Sequence, residues 1–91
     1  MLHIVKTPQQ LALVSRYLLS QDALLLVENA VYAASQVSPF YSHLPTAVPV
    51  YALQEDLQAR GWLAHCPPLV EVIDMDGWVD ATVKYGKSIT W

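Results

Sequence analysis

Apolar positions in this chain come as short unbroken runs separated by stretches with helical spacing. Leu2–Lys6 is a short β-branched run that suits a first strand. Thr7–Pro8–Gln9–Gln10 then reads as a helix start. Thr7 offers a cap, Pro8 suits the first helical position, and Gln10 stands three residues after the cap, as in a capping box. Leu11, Val14 and Leu18 form one stripe of the helix that follows. Leu24–Leu25–Leu26–Val27 shows no alternation, the pattern of a strand buried on both faces of a parallel sheet. Asn29 is placed to cap a second helix carrying Ala30, Ala33 and Ala34, whose small side chains let a helix lie close to that sheet. Two prolines, Pro39 and Pro45, mark the next segment as loop. Val48–Leu53 reads as a third strand, with Pro49 near its beginning, where a missing donor matters least. Gln54 to Gly61 is a short helix written in full: acids in the first turn, Arg60 in the last, and Gly61 where a left-handed cap is needed. Leu69–Ile73 is a fourth strand, followed by a helix from near Asp76 to about Lys84. Ser88–Ile89–Thr90–Trp91 reads as a short final strand.

Strands and helices therefore alternate. This predicts a single domain over residues 1–91 with a three-layer α/β/α fold around a mostly parallel sheet of four or five strands. Strand order is not legible from spacing. Composition adds a second constraint: 54% of residues are hydrophobic and only 14% charged, against about 25% charged in an ordinary domain. A disordered chain has the opposite balance. The longest apolar run, Ala23–Val27, is far shorter than the roughly 20 residues of a membrane-spanning helix, so no membrane contact is expected. Met1–Lys6 lacks a basic start followed by a long apolar stretch, which points to the cytoplasm. A net charge of −3 makes the chain a poor binder of phosphate backbones, so no direct nucleic-acid contact is expected. A small globule has much surface relative to its core, and so few charges leave apolar surface for another chain to cover.

The residues able to carry chemistry are sparse. Cys66 is the one strong nucleophile, held in His65–Cys66–Pro67–Pro68. A thiol tuned by His65 could carry sulfur, but adjacent residues of an extended segment point apart, so the inert reading is favoured. His3, His43 and His65 have no spacing that would put two ligands on one helix face, so no metal site is expected. Asp74, Asp76 and Asp80 read as strand end, helix cap and helix-dipole partner rather than an acidic site. Gly61, Gly77 and Gly86 make no glycine-rich phosphate turn, which argues against a nucleotide or flavin cofactor. Aromatics remain. Trp78 reads as core, whereas Trp62 and Trp91 lie at element ends, where a partner reaches them. Together with Phe40 and Tyr41 they are the candidate interface residues.

Several segments in order resemble the DsrH family and, within it, its TusB branch. They are Met1–Leu2–His3; the run from Ala23 to Ala34; Val50–Tyr51–Ala52–Leu53–Gln54–Glu55–Asp56–Leu57–Gln58–Ala59–Arg60–Gly61; and Val79 to Lys84 with the terminal Trp91. The resemblance covers nearly the whole chain, and the stretch from Glu55 to Gly61 is its most specific part. It implies a DsrE/DsrF/DsrH-like fold and a subunit of a sulfur relay. In that relay TusB-like chains join TusC-like and TusD-like chains in a heterohexamer, which passes persulfide sulfur toward a TusE-like acceptor and 2-thiolation of the tRNA wobble uridine.

The TusD-like relative carries its sulfur-bearing cysteine just after the third strand, a place that falls at about Leu53 here. Some DsrH proteins have a cysteine in the first helix, near Val14–Ser15, and this chain has none there either. The resemblance thus implies a noncatalytic subunit with no catalytic residue, metal or cofactor of its own. The alternatives are a sulfur carrier acting through Cys66, or a small nucleotide- or flavin-binding module.

Overall fold

The structure, a computed structural model, describes residues 1–91, with every side chain except that of His65. Unbroken apolar runs become strands because a central strand of a parallel sheet has no wet face. β1 (Leu2–Val5) and β2 (Ala23–Leu26) are buried at all four positions. β3 (Val50–Leu53) is nearly so, β4 (Val70–Ile73) is only partly covered, and β5 (Ser88–Thr90) is exposed throughout. The sheet follows that gradient: its order is β4-β3-β2-β1-β5, and every pairing is parallel.

Chain order explains the layers. The steps from β1 to β4 move in one direction across the sheet, and the last step returns past β1 to β5. Right-handed crossovers then put the first connections on one face and the last on the other. One face is covered by α1 (Leu11–Val14), a 3-10 helix at Glu28–Ala34 and α2 (Gln54–Ala59), packed on Val5, Leu24 and Leu26. On the other, Ala81 and Trp78 of α3 (Met75–Tyr85) pack on Leu2, Ile4 and Leu25. Neighbouring strand residues point to opposite faces, which is why Leu24 and Leu26 belong to one core and Leu25 to the other.

Five local expectations change. The Thr7 side chain makes no capping bond; instead Gln10 N–H donates to the Thr7 carbonyl at 3.2 Å and closes a 3-10 turn, Pro8–Gln10. α1 itself is one turn long, since the Ser15 hydroxyl turns back to the Ala12 carbonyl (2.9 Å) and competes with the helix ladder. Asn29 lies inside the 3-10 helix and does not cap it. Asp74, not Asp76, caps α3: its carboxylate accepts from Gly77 N–H at 2.9 Å, and Asp76 sits in the first turn, where the helix dipole favours it. Finally, β3 begins at Val50, and Pro49 before it uses its carbonyl to accept from Leu24 N–H, so the missing donor disturbs nothing.

Candidate interaction site

The most specific sequence stretch builds one wall of a groove. α2 ends as expected. Gly61 has φ +72, its N–H donates to the Gln58 carbonyl, and Trp62 N–H reaches back to the Leu57 carbonyl at 2.9 Å. This paired left-handed cap swings Trp62 over the fully buried Leu57. Asp56 of α2 and Arg60 just after it reach the turn after β2. Asp56 accepts from Glu28 N–H at 2.6 Å, steadying Glu28 at φ +51, a left-handed conformation rare for a non-glycine residue. Arg60 donates to the Asn29 side-chain oxygen (3.1 Å) and lies 3.6 Å from the Asp56 carboxylate. These contacts fix the 3-10 helix at Glu28–Ala34, and its Tyr32 meets the Trp62 ring edge-on, centroids 5.3 Å apart.

Beyond the carboxyl ends of β1 and β2 this leaves an open groove of about 480 Å³, lined by Pro8, Asn29, Val37, Pro39, Phe40 and Trp62. Ligands and partners of open parallel sheets approach at that end. The groove is mainly apolar, and Val37 on its rim is 83% exposed. It carries no charged lining group, so it offers contact area rather than chemistry.

The candidate interface residues divide. Phe40 and Trp62 line this groove together. Tyr41 packs half-buried on the same core without lining it. Trp91 lies elsewhere, at the end of the edge strand β5, against His3 and Tyr17. Around it the sequence reading missed a buried polar group: His3 and Asp22, 3.0 Å apart, both in the interior. The signal was present, because a histidine inside a wholly buried strand must find a partner.

Neither sulfur position offers a reactive thiol. Leu53 is 5% exposed and belongs to the core under α3. Cys66 is half-buried, its Sγ 3.8 Å from the Val70 carbonyl, and burial pushes the thiol up from its ordinary value. That is the opposite of activation. The His65 side chain, the candidate tuner of that thiol, lies outside the described residues. Among the described residues no three His, Cys, Asp or Glu side chains group as metal ligands, and no helix is long and apolar enough to cross a membrane.

Comparison with known proteins supplies the remaining observation. A family model described as DsrH like protein matches residues 6–88. A protein named Protein TusB from Buchnera aphidicola subsp. Baizongia pistaciae is 37% identical over 95 aligned positions, covering all of both chains. Another Protein TusB, from Salmonella dublin, is 38% identical over 77 positions, covering 84% of this chain and 81% of the relative. Among solved structures, the ychN protein from E. coli superposes with a TM-score of 0.73 over 99% of this chain and 97% of its own. At 20% identity that likeness speaks for the fold alone.

Proposed function

The chain belongs to the DsrH family, and from that premise we propose that it is a noncatalytic subunit of a TusBCD-type sulfur-relay assembly. Family membership supports a role in the sulfur-relay pathway of tRNA modification. The finer reading is that the chain joins TusC-like and TusD-like subunits in a cytoplasmic heterohexamer. There it helps present the partner's persulfide to a TusE-like acceptor on the way to 2-thiouridine, without touching RNA itself.

The observation that carries this reading is the pair of thiol positions. Persulfide exchange requires a thiolate accessible to another thiol. Leu53 is a buried hydrocarbon, and Cys66 is half-buried with its proton held more firmly than usual. The groove between Phe40 and Trp62 then serves as a face against a sibling subunit, its apolar lining matching what interface centres favour.

Cells carrying Cys66→Ser should keep wobble-uridine thiolation, whereas cells lacking the chain should lose it. Loss of 2-thiouridine in the Cys66→Ser strain, or a gain of about 32 Da on Cys66 after incubation with a persulfide donor, would instead make the chain a carrier. For the groove, Phe40→Asp co-expressed with TusC-like and TusD-like chains should elute as smaller species while remaining folded. Unchanged elution removes the groove from the interface.

A further inference from the structure

The β1–β5 edge of the sheet holds a polar chain independent of the groove and of the relay reading. The Trp91 indole N–H donates to His3 Nδ1 at 3.1 Å. His3 Nε2 lies 3.0 Å from Asp22 Oδ2, which also accepts from Leu19 N–H, and Asp22 Oδ1 accepts from the Met1 ammonium at 3.0 Å. His3 and Asp22 are 3% and 6% exposed. Burial alone would raise the Asp22 carboxyl, but the bonds from Leu19, His3 and the ammonium outweigh it and hold the group at about 2, so it is ionised at neutral pH.

Those partners fix the imidazole. An indole N–H only donates, so Nδ1 presents its lone pair; a carboxylate only accepts, so Nε2 carries the hydrogen. Both contacts fit only this tautomer, and an added proton has one place to go, Nδ1. There it would set N–H against N–H across 3.1 Å. The closed contact and the protonated ring exclude one another, and the closed form holds one proton fewer. The charged or titratable groups facing this ring are few. Asp22 touches it, the Met1 ammonium acts through Asp22, and the Tyr17 ring stands beyond Trp91, 5.6 Å between centroids. β5 contributes Ser88, Ile89 and Thr90 and β2 contributes Leu24, none of which titrates.

We propose that Trp91 is a proton-operated latch: protonation of His3 at Nδ1 releases the indole and loosens β5 from the sheet. The imidazolium formed keeps Asp22 as its counter-ion, so opening leaves no buried charge alone. β5 has little else to hold it. It is three residues long, exposed, and paired only with β1. Beside the latch lies a cavity of about 320 Å³ bounded by His3, Tyr17, Ile89 and Trp91, which outward movement of the indole would enlarge.

Nitrogen NMR of the labelled 91-residue chain, in whatever assembly it purifies as, tests this from pH 8 to pH 5. At pH 8 His3 should show hydrogen on Nε2 alone. On acidification the Trp91 indole signal should move in step with His3 protonation, with the Trp62 and Trp78 signals still, and the protection of the Ser88–Thr90 amides, taken relative to the intrinsic exchange rate at each pH, should fall about fivefold, the effect of one lost hydrogen bond. Trp91→Phe, which keeps a ring but deletes the donor, should leave that protection low and unchanged over the same range. An indole signal that ignores His3 protonation, hydrogen on Nδ1 at pH 8, a His3 that stays neutral down to pH 5, or unchanged pH dependence in Trp91→Phe would each overturn the latch.

Discussion

Two tryptophans at element ends give the same signal in the sequence and opposite results in the structure. Trp62, after the glycine that ends α2, meets Tyr32 edge-on and lines an open apolar groove with Val37 and Phe40. Trp91, after β5, stacks on His3, meets Tyr17 at a tilt and commits its N–H to a buried imidazole. The difference lies in what surrounds each ring. In the groove, apolar area is left uncovered, and covering it stabilises by roughly 25 cal/mol per Å². At the β1–β5 edge every described buried polar side chain has its partner, so the aromatic closes the molecule on itself. Each ring has open apolar space beside it, so a place at an element end does not by itself tell a contact ring from one that closes the fold; what the ring is packed on does.

The comparison breaks most visibly at Asp22. Asp22→Ala would leave His3 buried without its carboxylate and the N-terminal ammonium without its ion pair, and should destabilise the chain by about 3 kcal/mol in urea unfolding. The same carboxylate gives a pH test with a definite sign. Its folded value of about 2 lies below the ordinary 3.8, so its contribution is complete above about pH 4 and is lost as pH falls toward 2. Stability measured across that window should decline in the parent and decline less in Asp22→Ala. A parent whose stability is flat between pH 4 and pH 2 would mean that the edge is held by stacking alone.

Gly61→Ala probes the other region at smaller amplitude. No atom lies within 4 Å of where the new Cβ would stand, so the penalty is purely that of a left-handed backbone, about 1 kcal/mol. For a domain of this size that lowers Tm by roughly 4–8 °C. A larger loss would show that the Trp62 turn supports more of the fold than its open groove implies.

What could be read in advance follows from range. β1 to β4 and α2 with its glycine cap were legible, because an unbroken apolar run or a cap is written within a few residues. The helix carrying Ala30, Ala33 and Ala34 was legible too, but its 3-10 form and its start at Glu28 were not, since Asp56 and Arg60, about thirty positions away, set that turn. The His3–Trp91 contact spans 88 positions and exists only because β5 pairs with β1, a register no periodicity records. Of the four candidate interface residues, Phe40 and Trp62 meet in the groove, while Trp91 belongs to the edge.

Arg60 gives the mildest test and the one most particular to the groove. Its guanidinium joins α2 to the segment carrying Tyr32 through Asn29, and its pairing with Asp56 is an i,i+4 contact with both side chains about a quarter exposed. Water screens such a pair, so Arg60→Ala should lower stability by only about 0.5–1 kcal/mol. The question is whether that small term is specific. A double-mutant cycle with Asn29→Ala should return a coupling of about 0.5 kcal/mol if the bond holds the two walls in register. Strict additivity would assign the geometry instead to the edge-on contact of Tyr32 with Trp62. The groove would then be an apolar fold feature that happens to be open, and the partner-facing role of its rim would rest on Phe40 and Val37 alone.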